Sequence, residues 1–138
     1  MIAAAAGNRY GERMDTHQRP QVTIPDGLPP LTLEITDDVV GDGAEAVAGM
    51  QVSVDYVGVS WSTRTEFDAS WNRGDTLTFT LGAGEVISGW DQGVAGMRVG
   101  GRRTITIPPH LAYGERGAGG VIAPNETLVF TVDLRSVG

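Results

Sequence analysis

The residues able to do chemistry are few. Two histidines are available, His17 near the N-terminus and His110 beside Pro108-Pro109, and there is no cysteine. A serine hydrolase needs an imidazole placed against its nucleophile, and no G-x-S-x-G elbow is present. Gly82-Ala83-Gly84 resembles a phosphate loop only superficially, because no lysine follows it, so it reads as a turn. Without His/Asp clusters or thiolates, no metal site and no cofactor is expected. From residue 31 onward there are fourteen carboxylates, most of them on the outward positions of alternating segments, where they read as a solvated face. What remains is an apolar, aromatic-rich set: Tyr56, Phe67, Val86, Ile87, Trp90, Tyr113, Val121, Ile122 and Phe130. Such residues usually form core. Tyr113 and Val121-Ile122 lie in a glycine-rich loop, however, where apolar side chains are unexpected unless they line something. Asp68, between Phe67 and Trp71, sets a carboxylate beside apolar surface, which is costly unless hydrogen-bonded.

The elements that position this set are legible from periodicity. Ile87, Trp90, Val94 and Met97 make the stripe of one short amphipathic helix within Gly82–Gly101. Ser88 followed by Asp91 reads as a capping-box variant, and Gly100-Gly101 as the stop. A helix this short needs a sheet to lie on. Alternation supplies one: Leu31, Leu33 and Ile35; Val52, Val54 and Tyr56; an irregular stretch Glu66–Trp71; Leu77, Phe79 and Leu81; Arg103, Ile105 and Ile107; and Leu128, Phe130, Val132 and Leu134. Each strand carries one apolar and one wet face; Ser53 and Asp55, and Thr127, Val129, Thr131 and Asp133, fall on wet faces. The expectation is α+β: a five- or six-stranded antiparallel sheet wrapped around one short helix. Phe79 and Val94 are assigned to core alone.

Residues 1–30 show no sustained period and are broken by Pro20, Pro25, Gly27, Pro29 and Pro30, so a disordered or loosely tethered tail is expected, with the domain at 31–138. Met14 offers an alternative start, and the short apolar opening lacks a preceding cation, arguing against a secretory signal. The net charge is −7, all ten cations are arginine, and the imbalance falls on residues 31–138. An acidic domain suits neither a nucleic-acid backbone nor, lacking a long apolar run, a membrane. A cytoplasmic monomer fits the cysteine-free composition.

Residues 31–138 resemble the FKBP-type peptidyl-prolyl isomerases over nearly their whole length. The resemblance is carried by Tyr56-Val57-Gly58, Phe67-Asp68-Ala69-Ser70, Phe79 to Gly82, and the run Glu85-Val86-Ile87-Ser88-Gly89-Trp90 to Gly93. Val99-Gly100, Ala112-Tyr113-Gly114, Val121-Ile122 with Pro124, and Thr127-Leu128-Val129-Phe130 complete it. Eight segments in order are highly specific. The resemblance implies a pocket floored by Trp90 and walled by Tyr56, Phe67, Leu77, Val86, Ile87, Val121, Ile122 and Phe130. It also implies polar contacts from Asp68 and Tyr113, with the Ile87 N–H and the Tyr113 hydroxyl holding substrate carbonyls. Leu77 stands where many relatives carry an aromatic, and Ala118-Gly119-Gly120 replaces a bulkier loop tip, leaving that side more open and mobile.

The implied activity is rotation about X–Pro bonds, with proline-containing peptides or unfolded chains as substrates and macrolides such as rapamycin as possible ligands. Rotation breaks no bond and needs no nucleophile, which suits a chain that offers none. The alternative is a non-catalytic module that grips apolar peptides in the same pocket.

Overall fold

The computed structural model describes residues 15–138. Six strands form one antiparallel sheet: β1 (Glu34–Val39), β2 (Gln51–Ser60), β3 (Glu66–Ala69), β4 (Leu77–Thr80), β5 (Arg102–Ile107) and β6 (Leu128–Val137). They run in the order β1-β5-β6-β2-β3, with β4 also on β2. One helix, α1 (Ser88–Val94), and two single-turn 3-10 segments, Ser70–Asn72 and Pro109–Leu111, complete the elements. The α+β expectation holds, with six strands.

β2 organises the sheet. One of its edges pairs with β6 along nearly its whole length. The other edge is shared: Gln51–Val54 pair with β4, and Val57–Val59 pair with β3. Tyr56 stands at this fork, where its backbone N–H finds the Ser70 hydroxyl at 2.8 Å in place of a strand carbonyl. The side chain thereby satisfies a buried donor that the ladder leaves open.

On the concave face Val52, Val54, Leu81, Val94, Ile105, Ile107, Leu128, Val132 and Leu134 are fully buried. Phe79 and Val94 are core, as expected. The helix is held by several contacts. A Cβ on Gly93 would lie 2.8 Å from both Cδ1 and Cγ2 of Ile105, so the absent side chain sets how closely α1 approaches β5. Arg103 donates to the carbonyls of Gly93 (2.9 Å) and Ala95 (3.1 Å), supplying partners at the end of the helix, and pairs with Asp37 at 2.7 Å. Ser88 is not the cap: Ile87 occupies that position without a side-chain bond. Asp91 instead reaches back to the N–H groups of Gly82 (2.8 Å) and Gly84 (3.1 Å). The helix also ends at Val94 rather than at the glycine pair, because Gly96 and Met97 already bond to the 44–50 segment and Val94.

Three further expectations are corrected. β1 begins at Glu34, not Leu31, and both Leu31 (87 % exposed) and Ile35 (44 %) face out, as an edge strand paired only with β5 allows. The outer face of the sheet is not wet. Val57, Val59, Trp61, Ala69 and Val129 form a second apolar cluster there, and Ile24 completes it. Of residues 15–30, expected to be a loose tail, the stretch from 16 to 24 supplies the cover. Thr16, Pro20 and Ile24 are buried, Arg102 and Arg135 donate to the Thr16 carbonyl, and Arg64 donates to that of Ile24 at 2.7 Å. Beneath them Arg102 grips Asp133 through two bonds of 2.6 and 3.0 Å. Asp133 is thus buried and paired rather than wet, as a buried charge requires. The Met14 start and the expectation for residues 1–14 lie outside the described residues.

Gly93→Ala is expected to destabilise the fold. Overpacking of this kind costs about 1–3 kcal/mol, against a helix-propensity gain of about 1 kcal/mol. In urea unfolding the midpoint should fall with an unchanged slope. A midpoint at or above wild type would contradict close seating of α1 on β5.

Candidate active site

The residues singled out by type mostly converge on one cavity of about 230 Å³. Its lining is Tyr56 from β2, Phe67 and Asp68 from β3, Leu77 from β4, Glu85, Val86 and Ile87 ahead of α1, Trp90 within α1, Tyr113, and Phe130 from β6. Trp90 is buried at its base. The indole lies 5.0 Å from the Tyr56 ring and 5.2 Å from Phe130, each nearly perpendicular, with Phe79 at 5.7 Å behind it. Phe67 meets Phe130 edge-on at 5.5 Å. Gly58 makes that meeting possible, since a Cβ there would lie 2.6 Å from Phe130 and 2.8 Å from Phe67.

The polar groups gather on one side. The Tyr56 hydroxyl donates to Asp68 Oδ2 at 2.6 Å. Arg73 donates to Asp68 Oδ1 at 2.9 Å and to the Tyr56 oxygen at 2.8 Å, with its guanidinium 5.7 Å from the Tyr56 ring. Asp68 is therefore satisfied on both oxygens, which removes the cost of setting a carboxylate beside apolar rings. Burial, then the bond to Asp68, pushes the Tyr56 phenol up, although Arg73 opposes the shift. Burial, and secondarily the Asp68 charge, also pushes Tyr113 up. The Tyr113 hydroxyl has no hydrogen-bond partner among the described residues, and its residue is 41 % exposed at the mouth. Ile87, at the helix N-cap, has its own N–H ahead of the helical ladder. No grouping of His, Asp and Glu suited to a metal occurs among the described residues.

Two expected wall residues do not line the cavity. Ala118 and Ile122 close a tight hairpin through reciprocal backbone bonds of 2.9 and 3.0 Å, so the glycine tip is a hydrogen-bonded turn. Alternation across it sends Ile122 into the core and leaves Val121 61 % exposed. Conversely, Glu85 lines the cavity and Arg73 braces it, and neither was singled out. Glu85 opens the Glu85–Gly93 run, a signal that was available. Arg73 sits in the turn Asn72–Asp75, where no periodicity marks a functional side chain.

A family model described as FKBP-type peptidyl-prolyl cis-trans isomerase matches residues 43–135. The chain belongs to that family. It is 64 % identical over 121 residues to the FK506-binding protein of Streptomyces anulatus, covering 87 % of this chain and 98 % of that one. It is 50 % identical over 119 residues to the probable FK506-binding protein of Corynebacterium glutamicum, covering 86 % and 98 %. Among solved structures it is similar to AtFKBP13, with a TM-score of 0.71, 44 % identity, and coverage of 77 % of this chain and 93 % of that one. FkpA from Escherichia coli gives a TM-score of 0.69 at 39 % identity, with coverage of 76 % and 47 %. The chain is thus a peptidyl-prolyl isomerase by family.

Because folding holds the neutral forms of Tyr56 and Tyr113, their stabilising contribution is complete below the ordinary tyrosine pKa of about 10 and is lost as pH rises through their higher folded values. Tyrosinate absorbance against pH should show two groups ionising later than free tyrosine, and Tyr113→Phe should remove one of them. Ionisation of every tyrosine at the free value would contradict the geometry.

Proposed function

We propose that this cavity isomerises X–Pro bonds in peptide segments, the prolyl ring entering over Trp90 and the scissile-free amide lying beside Tyr113 and Ile87. The observation that carries this reading is an aromatic cavity open to solvent whose carboxylates are engaged, while the Tyr113 hydroxyl, the Ile87 N–H and the Trp90 indole N–H have no partner among the described residues. Asp68 is held by Tyr56 and Arg73 and Glu85 accepts from the Thr80 N–H at 3.0 Å, and rotation needs neither a nucleophile nor a base. The barrier of about 18–20 kcal/mol comes from amide resonance. The planar amide is more charge-separated than the twisted one, so transfer from water into an apolar cavity favours the twisted state. Each tenfold acceleration requires about 1.4 kcal/mol of such differential stabilisation.

The residues take distinct roles in this reading. Trp90 is the floor, and Phe67, Leu77, Val86 and Phe130 are walls. The Ile87 N–H and the Tyr113 hydroxyl hold substrate carbonyls. Asp68 and Tyr56, with Arg73, keep the polar wall in shape and supply the charge beside the rotating bond. The same cavity would take a macrolide, a reading supported by the names of the relatives. The cysteine-free composition is the support for a cytoplasmic setting.

In a protease-free isomerisation assay on a Leu-Pro peptide, Tyr113→Phe should lower kcat/KM about tenfold, the loss of one oriented hydrogen bond. Asp68→Leu should cost more, because it also strands Arg73 and the Tyr56 hydroxyl. Trp90→Leu should weaken peptide binding and also lower stability, because the buried indole packs on Tyr56, Phe79 and Phe130. Folded Asp68→Leu and Tyr113→Phe variants with wild-type rates would overturn these roles. Peptide binding without rate enhancement by the wild type would favour the non-catalytic module.

A further inference from the structure

The cavity wall made by β3 and the Ser70–Asn72 turn is a weak element by itself. β3 is four residues long, pairs with β2 alone, and slips register between Gly58 and Val59. Yet it carries Phe67 and Asp68, and the turn leads directly to Arg73. Residues 15–26 take hold of this segment at both ends.

The first hold is Arg19. Its guanidinium donates to the Glu66 carboxylate at the start of β3 and to Asn72 Oδ1 at 3.3 Å at the end of the turn. Asn72 Nδ2 in turn donates to Glu66 Oε2 at 3.1 Å, closing a three-membered ring of contacts across Phe67–Trp71. The second hold starts at the Thr16 carbonyl, which accepts from Arg135 at 2.7 Å. Arg135 donates to Asp55 Oδ2 at 2.9 Å, Asp55 Oδ1 accepts from the Ser70 hydroxyl at 2.7 Å, and Ser70 Oγ accepts the Tyr56 N–H at the fork of the sheet. The Arg135 guanidinium also lies 5.7 Å from the Trp71 ring. A planar, bidentate cation suits such bracing, because its donors leave in fixed directions.

We infer that residues 15–26 act as a strap that positions the cavity wall on β3 and the following turn, with Arg19 as its positioning residue. In its bearing on catalysis this rests on the isomerase reading of the cavity. The electrostatics agree with the geometry: burial alone would raise the Glu66 carboxyl, but the bonds from Arg19 and Asn72 and the Arg19 charge bring it below its ordinary value. Exposed ion pairs add little to global stability. Loss of Arg19 therefore frees the wall locally instead of unfolding the chain.

The test uses the full chain with Arg19→Ala, Arg19→Lys, Glu66→Gln and the Arg19→Ala/Glu66→Gln pair. Amide hydrogen exchange is read at Phe67–Asn72 and, as reference, at Val132 and Leu134 of β6. KM and kcat for a Leu-Pro peptide are read separately. Arg19→Ala should speed exchange across Phe67–Asn72 about fivefold or more with β6 unchanged, and should raise KM about threefold to tenfold. Lysine should restore part of both, and the double variant should be no worse than Arg19→Ala alone. Unchanged exchange at Phe67–Asn72 would overturn the inference. So would an equal rise in β6, which would make Arg19 a residue of general stability. If the wild type fails to isomerise the peptide, the reading of the cavity falls, while the exchange pattern still decides the strap.

Discussion

The structure depends on one indole held edge-on between two strands. Trp90 stands nearly perpendicular to both Tyr56 and Phe130, with Phe79 behind. Aromatic pairs in this arrangement are each worth about 0.5–1.5 kcal/mol beyond simple burial. The seven-residue helix that carries Trp90 is too short to persist alone, so these ring contacts hold α1 in place as much as α1 holds the rings. The cavity is the space left above the indole when the rings are fixed at those angles. Its depth and its apolar character therefore share a cause with the stability of the concave face.

The second constraint is the fork in β2. Because β4 and β3 share one edge, the sheet opens at Tyr56, whose backbone on that side meets a gap instead of a neighbouring strand. Ser70 fills the backbone vacancy, while Asp68 and Arg73 satisfy the phenol. Polar groups placed beside apolar rings are costly unless paired, and here the pairing is complete enough that the cavity stays apolar in effect. The Tyr113 hydroxyl, the Ile87 N–H and the Trp90 indole nitrogen, which is buried without a partner, are uncommitted among the described residues. An isomerase that acts by desolvation and orientation needs this combination: few free polar atoms, placed at the mouth and at the floor.

Much of this was legible in the residues. Period-2 alternation identifies β2, β4, β5 and β6, and the Trp90 stripe identifies the helix, because each buries one face against the same core. Tyr56, Phe67, Asp68, Leu77, Val86, Ile87, Trp90, Tyr113 and Phe130 meet as their segments imply. Failures occur where alternation is ambiguous about what lies on the other side. Val129, Thr131 and Asp133 look like a wet face, since nothing local announces that residues 15–26 cross it. Proline-rich, aperiodic chain reads as loose, yet a covering strap needs no period because its bonds run to arginines far away in sequence. Leu31 and Ile35 alternate as inward residues do, but Leu31 precedes β1 and Ile35 lies on an edge strand, so both are exposed. Val121 and Ile122 are adjacent, and a hairpin tip must send them opposite ways, which composition alone does not reveal. Arg73 acts through tertiary geometry that only the folded fork creates.

The most direct test of the account is the indole N–H resonance of Trp90 in the nitrogen-labelled protein during titration with a Leu-Pro peptide. The three tryptophans are well separated in role, with Trp61 and Trp71 associated with the outer apolar cluster and Trp90 at the base of the cavity. The account predicts a saturable shift of the Trp90 signal with Trp61 and Trp71 unmoved. A Trp90 signal that stays fixed while the peptide binds, or a shift confined to Trp61 or Trp71, would contradict it.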